Sequence, residues 1–469
     1  MLRLYLILAA ILNSSYGANI LGLMGAPAHS HFQFNSAIMH ELARRGHNVT
    51  VLAIDVPKPG QKIPENVHYI HLENIYKHMY EQNKGGANLS IENWIGKSGL
   101  KGISIFYEFC MHISKGTVTS KGFHELLNYP DNFKVDVVLY DYTKGSILLG
   151  FLEKFNNPPL IGVTAFLNPP ITSDLVGNQM FPSYIPHWVT AYDVDMSFFE
   201  RVHNSLIYIY EYLFRTFVLT PHYDKILRPF YPKGTPYLGD LEKRTVLTLV
   251  NTNPAINYAE SLPPNVIEVG DYRLQNQRLS RKKFKISWTI LKMEQFTFPL
   301  ELIDIFGHSK LKVFITHSGA LSTQEAIWFG IPMIGMALFV DQPRNLNKCV
   351  LNGVAAKLDF FNLSVKVLKD TILKVAEDST FAENVRERSR LYRDQPMKPL
   401  DKAIWWIEYV IRNPKANHLR SPAVHMNIFS SRSLDVIAFF IVLFVIFVMM
   451  VIFLIQCFCK LSKTKVKIN

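Results

Sequence analysis

Cysteine is scarce in this chain, with four in 469 residues. Two of them, Cys457 and Cys459, close an apolar run near the C-terminus and are expected at the edge of a membrane, away from the other pair. Cys110 and Cys349 lie far apart in sequence, so no disulfide framework holds the fold and a hydrophobic core must. A composition that is 48% hydrophobic supplies material for two cores, since a single core stops growing near ~250–300 residues. Charge is not strongly one-sided either. Part of the net +12 is a cluster of lysines, Lys460, Lys463, Lys465 and Lys467, behind that apolar run.

Both ends carry apolar segments. Met1-Leu2-Arg3, the run Leu4 to Leu12 and the small residues Ser15 and Gly17 have the three parts of a secretory signal, expected at 1–17. Val436 to Phe458 is apolar apart from Gln456 and, at 1.5 Å per residue, crosses a ~30 Å hydrocarbon layer. A single transmembrane helix is therefore expected over 434–459, with the lysines of 460–469 on the cytosolic side. That topology puts the bulk of the chain on the lumenal side, where nucleic acid is not a partner, and Lys465-Val466-Lys467-Ile468-Asn469 resembles the dilysine retrieval signal of endoplasmic reticulum membrane proteins. Sequons at Asn48, Asn88 and Asn362 are compatible with it.

Between the ends the pattern is α/β. Asn19 to Met24 reads as a strand. Phe34, Ile38 and Leu42 then recur at helical spacing until Gly46, and Asn48 to Ala53 is a second strand. Further strands are expected at Val135 to Tyr140 and Pro159 to Thr164, the latter after a helix over Gly145 to Phe155. The second half repeats the plan: strand Lys312 to Ile315, helix Ala320 to Phe329 stopped by Gly330, strand Pro332 to Gly335, and a helix capped by Asp341. Aromatic-rich stretches, Ile103 to Met111 and Met196 to Phe217, read either as cavity walls or as core packing. Domains are expected at 18–270 and 312–420, joined by an atypical 271–311 and followed by a linker at 421–433. In such sheets ligands bind beyond the carboxyl ends of the strands.

Phe314-Ile315-Thr316-His317-Ser318-Gly319-Ala320-Leu321-Ser322-Thr323-Gln324-Glu325-Ala326, followed by Gly330-Ile331-Pro332 and Asp341-Gln342-Pro343-Arg344-Asn345, resembles the signature of the UDP-glycosyltransferases, closest to their arthropod branch. The resemblance implies two facing Rossmann-like domains of GT-B type with a UDP-sugar as co-substrate. A small-residue loop opening a helix suits a pyrophosphate. The family pattern implies phosphate contacts from Thr316, His317, Ser318, Gly319 and Ser322, ribose contacts from Glu325, and sugar contacts from Asp341, Gln342 and Asn345. In the first domain the residues alone leave His29 and His31 open as a general base. The resemblance, through Ser30-His31-Phe32, selects His31, with Asp141 as the group that orients it. The implied reaction is inverting transfer of a hexose, glucose rather than glucuronic acid, to the hydroxyl of a small lipophilic acceptor. No metal or other cofactor is expected, because backbone amides and the helix dipole take the leaving-group charge.

The chain departs from the pattern twice. The family's usual His-Gly-Gly reads His317-Ser318-Gly319, which puts a Cβ where positive φ costs ~1 kcal/mol or more. Only Asp271 to Leu311 stands where the family has a linker, strands and a Trp-x-Pro-Gln segment that stacks on uracil. The C-terminal domain is accordingly expected to be incomplete. Two readings follow: an active transferase, or a catalytically impaired relative that binds small apolar ligands or assembles with itself or other transferases.

Overall fold

The computed structural model describes residues 17–82, 94–274, 306 and 311–466; the expected signal segment lies outside them. Two compact units result, Met1–Arg420 and Ser421–Asn469.

The first unit is built on seven parallel strands: β1 Asn19–Met24, β2 Asn48–Ala53, β3 Val67–His71, β4 Val137–Asp141, β5 Leu160–Thr164, β6 Thr245–Val250 and β7 Val266–Glu268. Their spatial order is β3-β2-β1-β4-β5-β6-β7. The direction of progression therefore reverses between β1 and β4, which pair with Leu23 opposite Tyr140. That junction is where an open α/β sheet leaves a crevice for ligands.

Alternation along β1 explains why both faces are covered. Ile20 and Met24 point into one core with Phe34, Ile38 and Leu42 of α1 (His29–Arg44). Leu21 and Leu23 point into the opposite core with Ile103 and Tyr107 of α2 (Gly99–Thr119). A strand buried on both sides reads as a continuous apolar run, and each large side chain removed from water contributes about 1.5–3 kcal/mol. The capping box of Ser197 and Glu200 starts α3 (Phe198–Phe214). This helix presents Tyr208 and Glu211 inward, while Phe199, Leu206 and Ile209 remain exposed.

A smaller parallel sheet follows, β8 Phe314–Thr316, β9 Met333–Gly335 and β10 Ala355–Lys357, in the order β10-β9-β8. Between its strands lie α4 (Ala320–Phe329) and α5 (Gln342–Leu351). Gly330 ends α4 at φ 68°, the left-handed conformation that glycine tolerates best. Among the described residues β8 is an edge, and its Ile315 is 45% exposed. Helix α6 (Pro399–Arg412) then returns to the first sheet, where Leu400, Ala403, Ile404 and Ile407 join the core of α1.

Three sequence expectations need correction. Gly145–Phe155 is not one helix: Gly145 takes φ 82°, and only Phe151–Lys154 is helical. Strand β8 begins at Phe314 rather than Lys312. Asp341 precedes α5 but caps no backbone N–H, because its carboxylate accepts from Asn345 Nδ2 at 2.7 Å instead.

The second unit consists of short turns and then α7 (Leu434–Val466). Leu434–Cys457 has a mean hydropathy of 3.5 and is long and apolar enough to cross a membrane. Cys110 and Cys349 are buried and free, in separate cores.

Candidate active site

His31 lies in the first turn of α1, just beyond the carboxyl end of β1, and Asp141 is the last residue of β4. The strand-order reversal thus brings them together although 110 residues separate them, with His31 Nδ1 at 3.2 Å from Asp141 Oδ2. Both are buried, at 4% and 2% exposure. Asp141 Oδ2 also accepts from Asn35 Nδ2 at 2.8 Å. Its Oδ1 accepts from the Thr143 amide at 2.9 Å and the Thr143 hydroxyl at 2.5 Å. Burial pushes the Asp141 carboxyl up, but the neighbouring His31 and the Thr143 hydrogen bonds outweigh it, and the net shift is down. Thr143 Oγ1 lies 3.1 Å from His31 Nδ1, and the ring of Phe166 meets the imidazole edge-on at 4.8 Å. With Nδ1 engaged, Nε2 is the nitrogen left for a reacting hydroxyl. His29, the other candidate, starts the same helix and is partly exposed.

Asn35 and Thr143 were not singled out from sequence. Asn35 is one helical turn after His31 and Thr143 two residues after Asp141, so helix spacing and local turn chemistry could have found them.

Thr143 and Phe166 form one wall of a cavity with about 590 Å³ of free space, part of it open to solvent. Phe106, Ile185, Trp188 and Tyr208 supply further apolar walls, and Asp341 faces in from the second half of the unit. The aromatic stretches therefore do both jobs, cavity wall and core. Glu211, also on the wall, is fully engaged: it accepts from Tyr107 at 2.7 Å, His187 at 2.5 Å and Trp188 at 2.8 Å.

The second cluster gathers at the start of α4. The Thr316 hydroxyl accepts from the Ser318 amide at 3.0 Å and lies 3.1 Å from Ser322 Oγ. Asn345 Nδ2 donates to the Ser318 carbonyl at 3.1 Å, tying the loop to α5. Ser318 sits at φ 63°, so the non-glycine residue does take the left-handed conformation. Gly319 lies close against His317: a Cβ there would lie 2.5 Å from His317 Nε2, so the ring would have to shift. Burial lowers the His317 pKa to about 4, which keeps the imidazole neutral. Burial likewise raises the Asp341 carboxyl. The Gln342 side-chain oxygen is committed to the amides of Leu338 and Phe339 at 2.8 and 3.3 Å, leaving its amide nitrogen for a ligand.

Glu325 is not free. Its Oε1 accepts from Arg273 Nη2 at 2.7 Å, and the same guanidinium is held by Asp271 at 2.6 and 2.8 Å and by Gln33 at 3.1 Å. Burial raises the Glu325 carboxyl, and Arg273 opposes that rise. Arg273 belongs to the atypical segment, and no sequence pattern pointed to it.

One Asp-x-Asp triplet is present, Asp193-Val194-Asp195. Asp193 acts on Tyr258 and Lys348. Among the described residues no group of three or more metal-ligating side chains is assembled.

Seven parallel strands facing a smaller parallel sheet, with polar clusters at the carboxyl ends of both, define a glycosyltransferase of GT-B architecture. The solved structures of a kitacinnamycin glycotransferase and of CalG4, the calicheamicin glycosyltransferase, match it with TM-scores of 0.52 and 0.51. They cover 84% and 85% of this chain and 99% of theirs, at 15% identity each. The family pattern described as UDP-glucoronosyl and UDP-glucosyl transferase matches residues 22–286 and 300–468, and the chain belongs to that family. Similar proteins include UDP-glycosyltransferase UGT5 of Dactylopius coccus, 28% identical over 94% of this chain and 92% of its own length. UDP-glucuronosyltransferase 2B33 of Macaca mulatta is 28% identical over 94% of each chain. The alignment with UGT5 runs over 500 positions against 469 residues here, so the relative carries residues that this chain lacks. The family match is itself interrupted between 286 and 300, inside the shortened segment.

Proposed function

We propose that the chain transfers a hexose, glucose in preference to glucuronic acid, from a UDP-sugar to the hydroxyl of small lipophilic acceptors, with inversion and without a metal. The observation that carries this reading is the His31–Asp141 pair beside an apolar cavity that Asp341 enters from the other side. His31 Nε2 takes the acceptor proton as the oxygen attacks the anomeric carbon. The bond from that carbon to the phosphate oxygen breaks, and UDP departs with its pair of electrons. Asp141 holds the imidazole by Nδ1 and stabilises the imidazolium, with Asn35 and Thr143 fixing the carboxylate. Thr316, His317, Ser318, Gly319 and Ser322 receive the pyrophosphate at the start of α4, Asp341, Gln342 and Asn345 the sugar, and Glu325 the ribose. The location that goes with this reading is the lumenal side of the endoplasmic reticulum membrane, with α7 as the anchor.

One observation favours the second reading, that of an impaired relative: Arg273 occupies the carboxylate that ribose would use. Donor binding must then compete with a buried ion pair, and turnover is slow. Incubating the full-length chain in membranes with a UDP-hexose and a phenol tests the proposal. A β-glycoside whose formation is lost in His31→Ala supports it, and no product at any donor concentration leaves the binding role.

A further inference from the structure

Arg344, in the first turn of α5, is only 5% exposed. Its Nε has no hydrogen-bond partner, and among the described residues no carboxylate reaches ion-pair distance. A buried guanidinium without a close ion pair favours gaining one, and arginine's planar fork matches a carboxylate in two parallel hydrogen bonds.

The side chain is not at the surface but in the wall of the acceptor cavity, beside Phe166, Pro169 and Tyr208. It also borders a second, smaller cavity lined by Thr323, Asn345 and Lys348. Its guanidinium carbon lies 4.9 Å from the centre of the Tyr258 ring, and Lys348 Nζ lies 4.2 Å from the same ring. One aromatic face therefore serves two cations, and Asp193 acts on Lys348 beside it. The acids that act on Arg344 do so from beyond ion-pair distance and are held by neutral donors: Glu260 accepts from Asn168 at 2.8 Å and Asp341 from Asn345 at 2.7 Å. Glu211 is taken by Tyr107, His187 and Trp188. The Thr323 hydroxyl is buried and unpartnered too. An apolar cavity whose wall holds a buried guanidinium that makes no close ion pair fits an amphipathic anion.

We propose that Arg344 makes this cavity selective for lipophilic acceptors that carry a carboxylate away from the hydroxyl to be glycosylated. This rests on the cavity being the acceptor site, as in the function proposed above, but not on turnover. A carboxylate could also arrive on the donor, as the sugar acid of a UDP-uronate, and the two sources are separable.

Binding of 2-naphthol and of 6-hydroxy-2-naphthoate to the full-length chain in detergent, without donor, is measured by calorimetry at neutral pH. The carboxylate ligand should bind at least tenfold more tightly, and Arg344→Gln should reduce that ratio to within about threefold while Arg344→Lys retains part of it. Equal affinities in the unaltered chain, or an undiminished ratio in Arg344→Gln, overturn the assignment. If Arg344→Gln does not fold, the ratio in the unaltered chain and in Arg344→Lys decides. In the second arm UDP-glucose and UDP-glucuronate are compared. A preference for the uronate that Arg344→Gln removes, with no acceptor preference, moves the carboxylate to the donor and also overturns the assignment. Transfer to the two naphthols bears on the proposed reaction alone, so failure of one leaves the other standing.

Discussion

Asp141→Asn is the substitution whose outcome the geometry constrains most tightly. The carboxylate takes four donors, His31 Nδ1 and Asn35 Nδ2 on one oxygen and the amide and hydroxyl of Thr143 on the other. An amide has one acceptor atom. Whichever way it turns, its NH₂ faces a pair of donors, and at least one buried group loses its partner, at about 1–3 kcal/mol of stability. The cost to catalysis is larger. An NH₂ against Nδ1 forces the imidazole into the tautomer that carries its proton on Nε2, where a base must be bare. The expected loss is about 10³- to 10⁴-fold in kcat, equivalent to ~4–5.5 kcal/mol of transition-state stabilisation. The assay is chromatographic detection of glycoside from a phenol in membranes containing the full chain, with UDP affinity measured separately by dialysis. UDP affinity should stay within about twofold, because the proposed nucleotide cluster lies on α4 and α5. Transfer by Asp141→Asn within tenfold of the unaltered chain would refute the reasoning.

Three further outcomes are expected. Gly319→Ala, at an ordinary φ of −64°, puts a Cβ 2.5 Å from His317 Nε2, so UDP binding measured by dialysis should weaken about tenfold or more through displaced phosphate ligands. Lys144 is buried without a hydrogen-bond partner, and burial pushes its ammonium down from 10.5 to about 8. Between these values the unfolded chain binds the extra proton, so native stability rises with pH there, and below about 8 the full penalty applies. Lys144→Met should therefore raise the melting temperature most below pH 8, by an amount equivalent to ~3 kcal/mol, with the gain shrinking towards pH 10; a gain that grows with pH contradicts this. Removing Arg273 and its partner charge together, as Arg273→Gln with Asp271→Asn, frees Glu325, and UDP affinity by dialysis should improve several-fold; an unchanged affinity means that Arg273 does not compete with ribose.

Much of the scaffold was legible because short-range signals agreed. Strands β1 and β2 fall at Asn19–Met24 and Asn48–Ala53 as read, since Gly46 ends the helix between them. Helix α4 matches because Gly330 must stop it. Gly145–Phe155 misleads because its apolar run is buried by tertiary contacts rather than by helical periodicity: Gly150 packs so closely that a Cβ would lie 1.9 Å from the Tyr231 ring. Return of Pro399–Arg412 to the first sheet is invisible to any local pattern, because its partners Phe34 and Ile38 lie more than 300 residues earlier. In the candidate site, the family resemblance singled out His31, Asp141 and the α4 loop, and the first two lie 3.2 Å apart. It gave no sign of Arg273, which two carboxylates hold, or of Arg344, which is buried without a close ion pair. At Ser318 the sequence predicts a backbone strain, and the residue does take φ 63°.

The most direct test of the central claim is transfer of radiolabelled glucose from UDP-glucose to 1-naphthol by membranes carrying the full-length chain, with His31→Ala alongside. Slow but measurable formation of the β-glucoside is predicted, falling about a hundredfold or more in His31→Ala, with UDP affinity within about twofold of the unaltered chain. Equal rates in the two, or equal loss of transfer and of UDP binding, would contradict the assignment of His31 as the base.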